Sequence, residues 1–193
     1  GCRQYAACAE AVPAAFGLSA SSVSRRFIRA SARHLRTLCE RRLDQDEFVA
    51  VVLDGKTFAQ DAMVIALGVT LQGQKKILGF VQTATENEPV CAAFLRTLVA
   101  RGLRVEPALC CVIDGAKGLR TAIQTVFGAQ ALVQRCQWHK RENVVRYLPK
   151  AQQAAWRRRL QQAYERPTYA EARAALGRLR QELRGINLSA VAS

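Results

Sequence analysis

The rhythm of apolar and polar positions changes three times along the chain and divides it into segments. Residues 4–15 and 20–43 follow helical spacing. In the first stretch Tyr5, Ala6, Cys8, Ala9 and Val12 mark one short apolar face. Phe16-Gly17-Leu18-Ser19 then interrupts it, since Gly tolerates positive φ and Ser caps the helix that follows. Val23, Phe27 and Ile28 share one face of the next stretch, leaving Ser21, Ser22, Arg25, Arg26 and Arg29 for the others. Residues 31–43 continue as a basic helix with Leu35, Leu38 and Leu43 directed inward. The acidic run Asp44-Gln45-Asp46-Glu47 closes this segment at residue 47.

From Phe48 the spacing becomes that of strands. Phe48–Leu53 is a continuous apolar run, Ala62–Leu71 and Lys76–Thr83 are two more strands, and Gln72-Gly73-Gln74-Lys75 is the hairpin loop between them. Glu88-Pro89 starts a helix to about Arg101, with Phe94, Leu95, Leu98 and Val99 inward. A strand at Leu109–Ile113, a helix at Lys117–Phe127, a strand at Ala131–Gln134 and a helix at His139–Tyr147 follow. Beyond Pro149 the pattern is helical only. Trp156, Leu160, Ala163 and Tyr164 form one stripe, and Ala172, Leu176, Leu179 and Leu183 another. Three units result: a helical segment at 1–47, an α/β core at 48–148, and the start of an all-helical part at 149–193.

Three strands followed by helix, strand, helix, strand, helix is a ribonuclease-H-like order: a mixed sheet with flanking helices. Right-handed crossovers in such a sheet bring the C-terminal ends of the first and fourth strands side by side. Each of those apolar runs ends in Asp-Gly, at Asp54-Gly55 and at Asp114-Gly115. A carboxylate at the tip of a buried strand is costly unless its charge is offset. Either aspartate alone is explained by a turn, with Asp114 capping its own Asp-Gly-Ala-Lys-Gly loop. Two at adjacent strand ends predict a shared divalent cation serving phosphodiester chemistry. Asp54 and Asp114 are therefore the candidate catalytic residues and metal ligands.

The net charge of +14 points to a polyanion as partner. It is concentrated in residues 135–193, which carry thirteen Lys/Arg against four Asp/Glu. Helix, Gly turn and a helix rich in Ser and Arg has the outline of a helix-turn-helix, with Arg25, Arg26 and Arg29 as candidate DNA contacts; a plain amphipathic hairpin is the alternative. Seven cysteines without regular spacing fit reduced thiols in a cytoplasm better than a disulfide framework. No apolar stretch is long enough to span a bilayer. Cys136-Gln137-Trp138-His139 offers two zinc-ligand types where a structural zinc site needs four. A structural or substrate-facing role suits it better, with Trp138 packed or stacked on a base.

Leu-Asp54-Gly-Lys, Val-Ile-Asp114-Gly-Ala-Lys-Gly-Leu and Gln-Arg-Cys136-Gln-Trp-His139-Lys-Arg-Glu-Asn-Val resemble, in that order, the catalytic core of bacterial Mutator-type insertion-sequence transposases. The resemblance covers roughly residues 48–193. It implies Mg²⁺-dependent cleavage at terminal inverted repeats followed by attack of the freed 3′-OH on target DNA. It makes Cys136 and His139 a family signature, Lys56 and Lys117 candidate phosphate contacts, and the nucleoid-associated cytoplasm the site of action. The complete protein would be a homo-oligomer. The family's triad ends in a Glu beyond the helical insertion, and Glu142, Glu165, Glu171 and Glu182 have neither its position nor its context. With Gly1 in place of Met and a polar end at Ser193, a truncated chain is expected, inactive alone. The alternative is a non-enzymatic DNA-binding relic that occupies element ends.

Overall fold

The computed structural model describes residues 20–58, 61–83 and 87–193. The first half of the expected helix-turn-helix, with its Phe16–Ser19 break, lies outside them. Helix α1 is continuous over Ala20–Glu40. Strands β1 (Phe48–Phe58), β2 (Asp61–Thr70) and β3 (Lys75–Thr83) form an antiparallel meander. Helix α2 (Glu88–Ala100), strand β4 (Leu109–Ile113), helix α3 (Lys117–Phe127) and strand β5 (Ala131–Arg135) complete the sheet layer. Four helices follow: α4 (Gln137–Val145), α5 (Lys150–Tyr164), α6 (Tyr169–Arg184) and α7 (Leu188–Ala192).

The sheet order is β3-β2-β1-β4-β5, with β1, β4 and β5 mutually parallel. This mixed sheet with flanking helices has the ribonuclease-H-like layout. Alternation decides which face is covered. Val51 and Leu53 of β1, Val64 and Ala66 of β2, and Leu109, Cys111 and Ile113 of β4 are buried in one cluster with Leu95 and Leu98 of α2 and Leu119 and Ile123 of α3. The other face carries the half-buried Val52, Ile65, Leu67 and Val112. Asp54 and Asp114 follow Leu53 and Ile113 in sequence and so turn away from the covered core.

A second apolar cluster gathers the last four helices around Val145, Trp156, Leu160, Leu179 and Leu183. It also takes in Val144 and Leu148, which precede Pro149. Both expected stripes contribute to it, except that Ala175 rather than Ala172 is the buried alanine of α6. Helix α6 starts with a capping box: Thr168 Oγ1 accepts from Glu171 N, and Glu171 Oε2 accepts from Thr168 N, each at 3.3 Å.

Four expectations need correction. Strand β1 does not stop at Leu53; it pairs with β2 through Phe58↔Asp61, so Asp54 lies inside a strand. The segment Gly55-Lys56-Thr57 reads as a turn until β2 supplies its hydrogen bonds. Helix α4 starts at Gln137, two residues early, and α1 ends at Glu40. Leu35 and Val99 are 46% and 41% exposed rather than inward, because none of the described residues packs over those parts of α1 and α2. Phe27 and Ile28 are exposed as well.

A paired-aspartate site at the sheet's C-terminal edge

The parallel ladders end in register. Leu53 pairs with Ile113, and Ile113 with Arg135. The positions that follow are Asp54, Asp114 and Cys136, so the three expected residues share one row, with Asp54 inside β1 and the other two just past the ends of β4 and β5. The turn out of β5 is fixed to this row by Cys136 N, which donates to Ile113 O at 2.6 Å.

Asp114 opens an Asx turn, its Oδ1 accepting from Ala116 N at 2.9 Å. Gly115 follows at φ +109°, and a Cβ there would stand 2.8 Å from Arg135 Nε. Only glycine leaves room for the guanidinium that donates to Asp114 O at 3.4 Å. Asp54 has two cationic or polar neighbours: Lys56 Nζ lies 3.0 Å from its Oδ2, and His139 Nε2 3.6 Å from its Oδ1. Lys56 is two residues on along the same strand and so shares a face with Asp54.

Sequence reasoning singled out Cys136 and His139 but not what they touch. The structure places His139 on the first turn of α4, facing Asp54, with Nδ1 buried and without a hydrogen-bond partner among the described residues. Trp138 stands edge-on to the His139 ring at 4.8 Å and is 55% exposed. Lys117, at the start of α3, is exposed. Arg25, Arg26 and Arg29 are exposed on the first half of α1 and make no hydrogen bond or ion pair among the described residues. The structure does not bring them to the aspartates.

The site offers two carboxylates, and among the described residues no group of three or more His, Cys, Asp or Glu is arranged to hold a metal. The glutamates set aside above have other work. Glu142 is bonded by Arg157 at 2.9 Å and Arg141 at 3.2 Å. Burial pushes its pKa up, yet the two guanidiniums outweigh that and hold it below the usual range. Glu182 pairs with Arg159, Glu165 accepts from Gln161, and Glu171 caps α6.

Comparison with known proteins decides the family. The profile of "Transposase, Mutator family" matches residues 2–193. The chain belongs to this family. It is 33% identical over 102 residues to the transposase for insertion sequence element IST2 of Acidithiobacillus ferrooxidans, covering 53% of this chain and 34% of that one. It is 30% identical over 132 residues to the IS1201 transposase of Lactobacillus helveticus, covering 64% and 33%. The IS256 transposase in transposon Tn4001 of Staphylococcus aureus is 33% identical over 93 residues, covering 48% and 23%. The matched stretch thus spans about a third of these relatives' length or less. No helix among the described residues is long and apolar enough to cross a membrane.

Proposed function

We propose that this chain carries the DNA-cleaving centre of an insertion-sequence transposase, acting with Mg²⁺ or Mn²⁺ on terminal inverted repeats and then on target DNA. The observation that carries this reading is the ladder register, whose last pair, Leu53 with Ile113, is followed by Asp54 on β1 and by Asp114 just past the end of β4. Their oxygens suit Mg²⁺, which binds through one or two carboxylates and keeps several waters. When bound, the metal supplies Lewis-acid stabilisation to phosphodiester cleavage and strand transfer.

The protein's part is orientation and charge. Asp114 is fixed by its Asx turn, and Asp54 is flanked by Lys56 and His139. On this reading Lys56 and the exposed Lys117 contact phosphates, and the exposed Arg25, Arg26 and Arg29 contact repeat DNA. A DDE triad needs a third carboxylate. The pairings of Glu142, Glu165, Glu171 and Glu182 argue against each, so on this reading residues 1–193 bind DNA but do not complete transposition, and the complete protein works as a homo-oligomer.

The test is cleavage of a labelled terminal-repeat duplex by the complete transposase in Mg²⁺. Asp54→Asn and Asp114→Asn should each abolish cleavage while leaving DNA affinity within about twofold. Unchanged cleavage removes the residue from the site. DNA binding by a complete protein that never cleaves supports the relic instead.

A further inference from the structure

Beyond the aspartate row, Arg135 leads into a cavity of about 430 Å³ between the end of β5 and helices α4, α5 and α6. Its wall brings together Arg135, Lys140, Arg173, Tyr164, Tyr169 and Leu176, with no carboxylate among the lining residues. The nearby acids are engaged elsewhere: Glu142 with Arg157, Glu165 with Gln161, Glu171 in the α6 cap. Among the described residues, Lys140 and Arg173 have no acidic partner. Burial lowers the Lys140 pKa, and the charges of Arg135 and Arg180 lower it further. Arg135 is itself bonded to Asp114 O and Ser193 O, so among the described residues Lys140 and Arg173 are the cavity's cations left without an anion. Tyr169, the first residue of α6, is 80% exposed at the rim.

We propose that this cavity takes one unpaired nucleotide of the DNA substrate, with its base against Tyr169 and Tyr164 and its phosphate on Lys140 and Arg173. The proposal rests on the reading above that DNA is the partner. A free phosphate would use the cations but leave the tyrosines and Leu176 without a role. Paired bases keep their faces stacked inside the duplex and cannot enter a concavity of this size. An unpaired nucleotide presents an anion and a flat apolar face together, the combination that basic grooves with aromatic platforms recognise. The location fits as well, because Arg135 also donates to Asp114 O, joining the cavity to the aspartate row.

The experiment uses the 193-residue chain and a single-stranded oligonucleotide carrying 2-aminopurine, against the same strand fully paired. Stacking in the cavity should quench the fluorophore in the single strand. Tyr169→Ala should weaken single-strand binding roughly fivefold or more and abolish the quenching. It should leave duplex affinity and the thermal midpoint unchanged, and Tyr169→Phe should retain both binding and quenching. Lys140→Ala and Arg173→Ala should each reduce the salt dependence of single-strand binding by about one counterion. Tyr169→Ala with unaltered single-strand affinity and fluorescence overturns the proposal. So does an equal loss on single strand and duplex, or competition by inorganic phosphate that is insensitive to Tyr169. A Tyr169 effect with no cleavage by the complete protein leaves the cavity and removes the transposase reading; cleavage with a silent Tyr169 does the reverse.

Discussion

His139 Nε2 lies 3.6 Å from Asp54 Oδ1, joining the first turn of α4 to the strand at the middle of the sheet. The same helix is anchored at its start by Cys136 N on Ile113 O, the residue before Asp114. One short segment, Cys136 to His139, therefore touches Asp54 within β1 and the end of β4 that precedes Asp114. The separation is too long for a hydrogen bond and counts as an electrostatic contact.

Lys56 completes the surroundings of Asp54 at 3.0 Å, and a cation there competes with any divalent ion for the same carboxylate. Lys56→Met should tighten Mn²⁺ binding to the chain about twofold to fivefold, the range of a partly exposed ion pair. Its affinity for duplex DNA should fall. Titration calorimetry with Mn²⁺ reads the first effect, and weaker or unchanged Mn²⁺ binding would show that Lys56 does not restrain Asp54.

Duplex binding should depend steeply on salt. Residues 135–193 hold thirteen Lys/Arg against four Asp/Glu, and each phosphate they neutralise releases counterions. The logarithm of the affinity should fall linearly with the logarithm of salt concentration, with a slope of about −0.9 per phosphate contact. A flat profile by fluorescence anisotropy would exclude backbone recognition.

Gly115→Ala tests the turn that sets Asp114. The residue stands at φ +109°, and its new Cβ would meet Arg135 Nε at 2.8 Å. Strain at such a position costs about 1–3 kcal/mol. The displaced Arg135 should also release Asp114 O, so stability and metal binding should fall together. A denaturation midpoint equal to the parent's would mean that the turn relaxes freely.

Arg101 holds the helical segment to the sheet. Its guanidinium donates to Leu38 O at 2.9 Å, Arg41 O at 2.9 Å and Leu78 O at 2.8 Å, serving the end of α1, the residue beyond it and strand β3 at once. Arg101→Ala leaves these carbonyls short of a charged donor and should cost about 3 kcal/mol in urea denaturation. Arg101→Lys should recover only part of that, since an ammonium lacks the planar fork. A loss under about 0.5 kcal/mol for Ala would place the three bonds among the interactions that water replaces freely.

How far these features can be read from sequence depends on how local they are. The β4 and α3 boundaries follow from apolar spacing and glycine, and both match the structure to the residue. The end of β1 does not, because Gly55-Lys56-Thr57 is held extended only by its partner Val64-Met63-Ala62. Leu35 and Val99 show the same limit: helical spacing gives a face, but only a tertiary neighbour decides whether it is covered. The approach of His139 to Asp54 depends on how α4 leaves β5, and no spacing rule carries it. The three carbonyls on Arg101 are legible in no local pattern at all.

Cys111 supplies a pH prediction whose sign follows from burial. Its side chain is fully buried on β4, and burial, with Cys110 beside it, pushes the thiol up from 9.0 to about 12. The folded state therefore keeps this proton where the unfolded chain has released it. Above pH 9 the unfolded state binds fewer protons, so stability falls as pH rises, until the folded thiol ionises near pH 12. In that window the group contributes a slope of up to about 1.4 kcal/mol per pH unit. Cys111→Val removes the titration at similar volume. Between pH 8 and pH 11 the stability of the variant should decline less than that of the parent, by up to about 3 kcal/mol, in urea denaturation series. Parallel curves would mean that Cys111 ionises without unfolding the sheet.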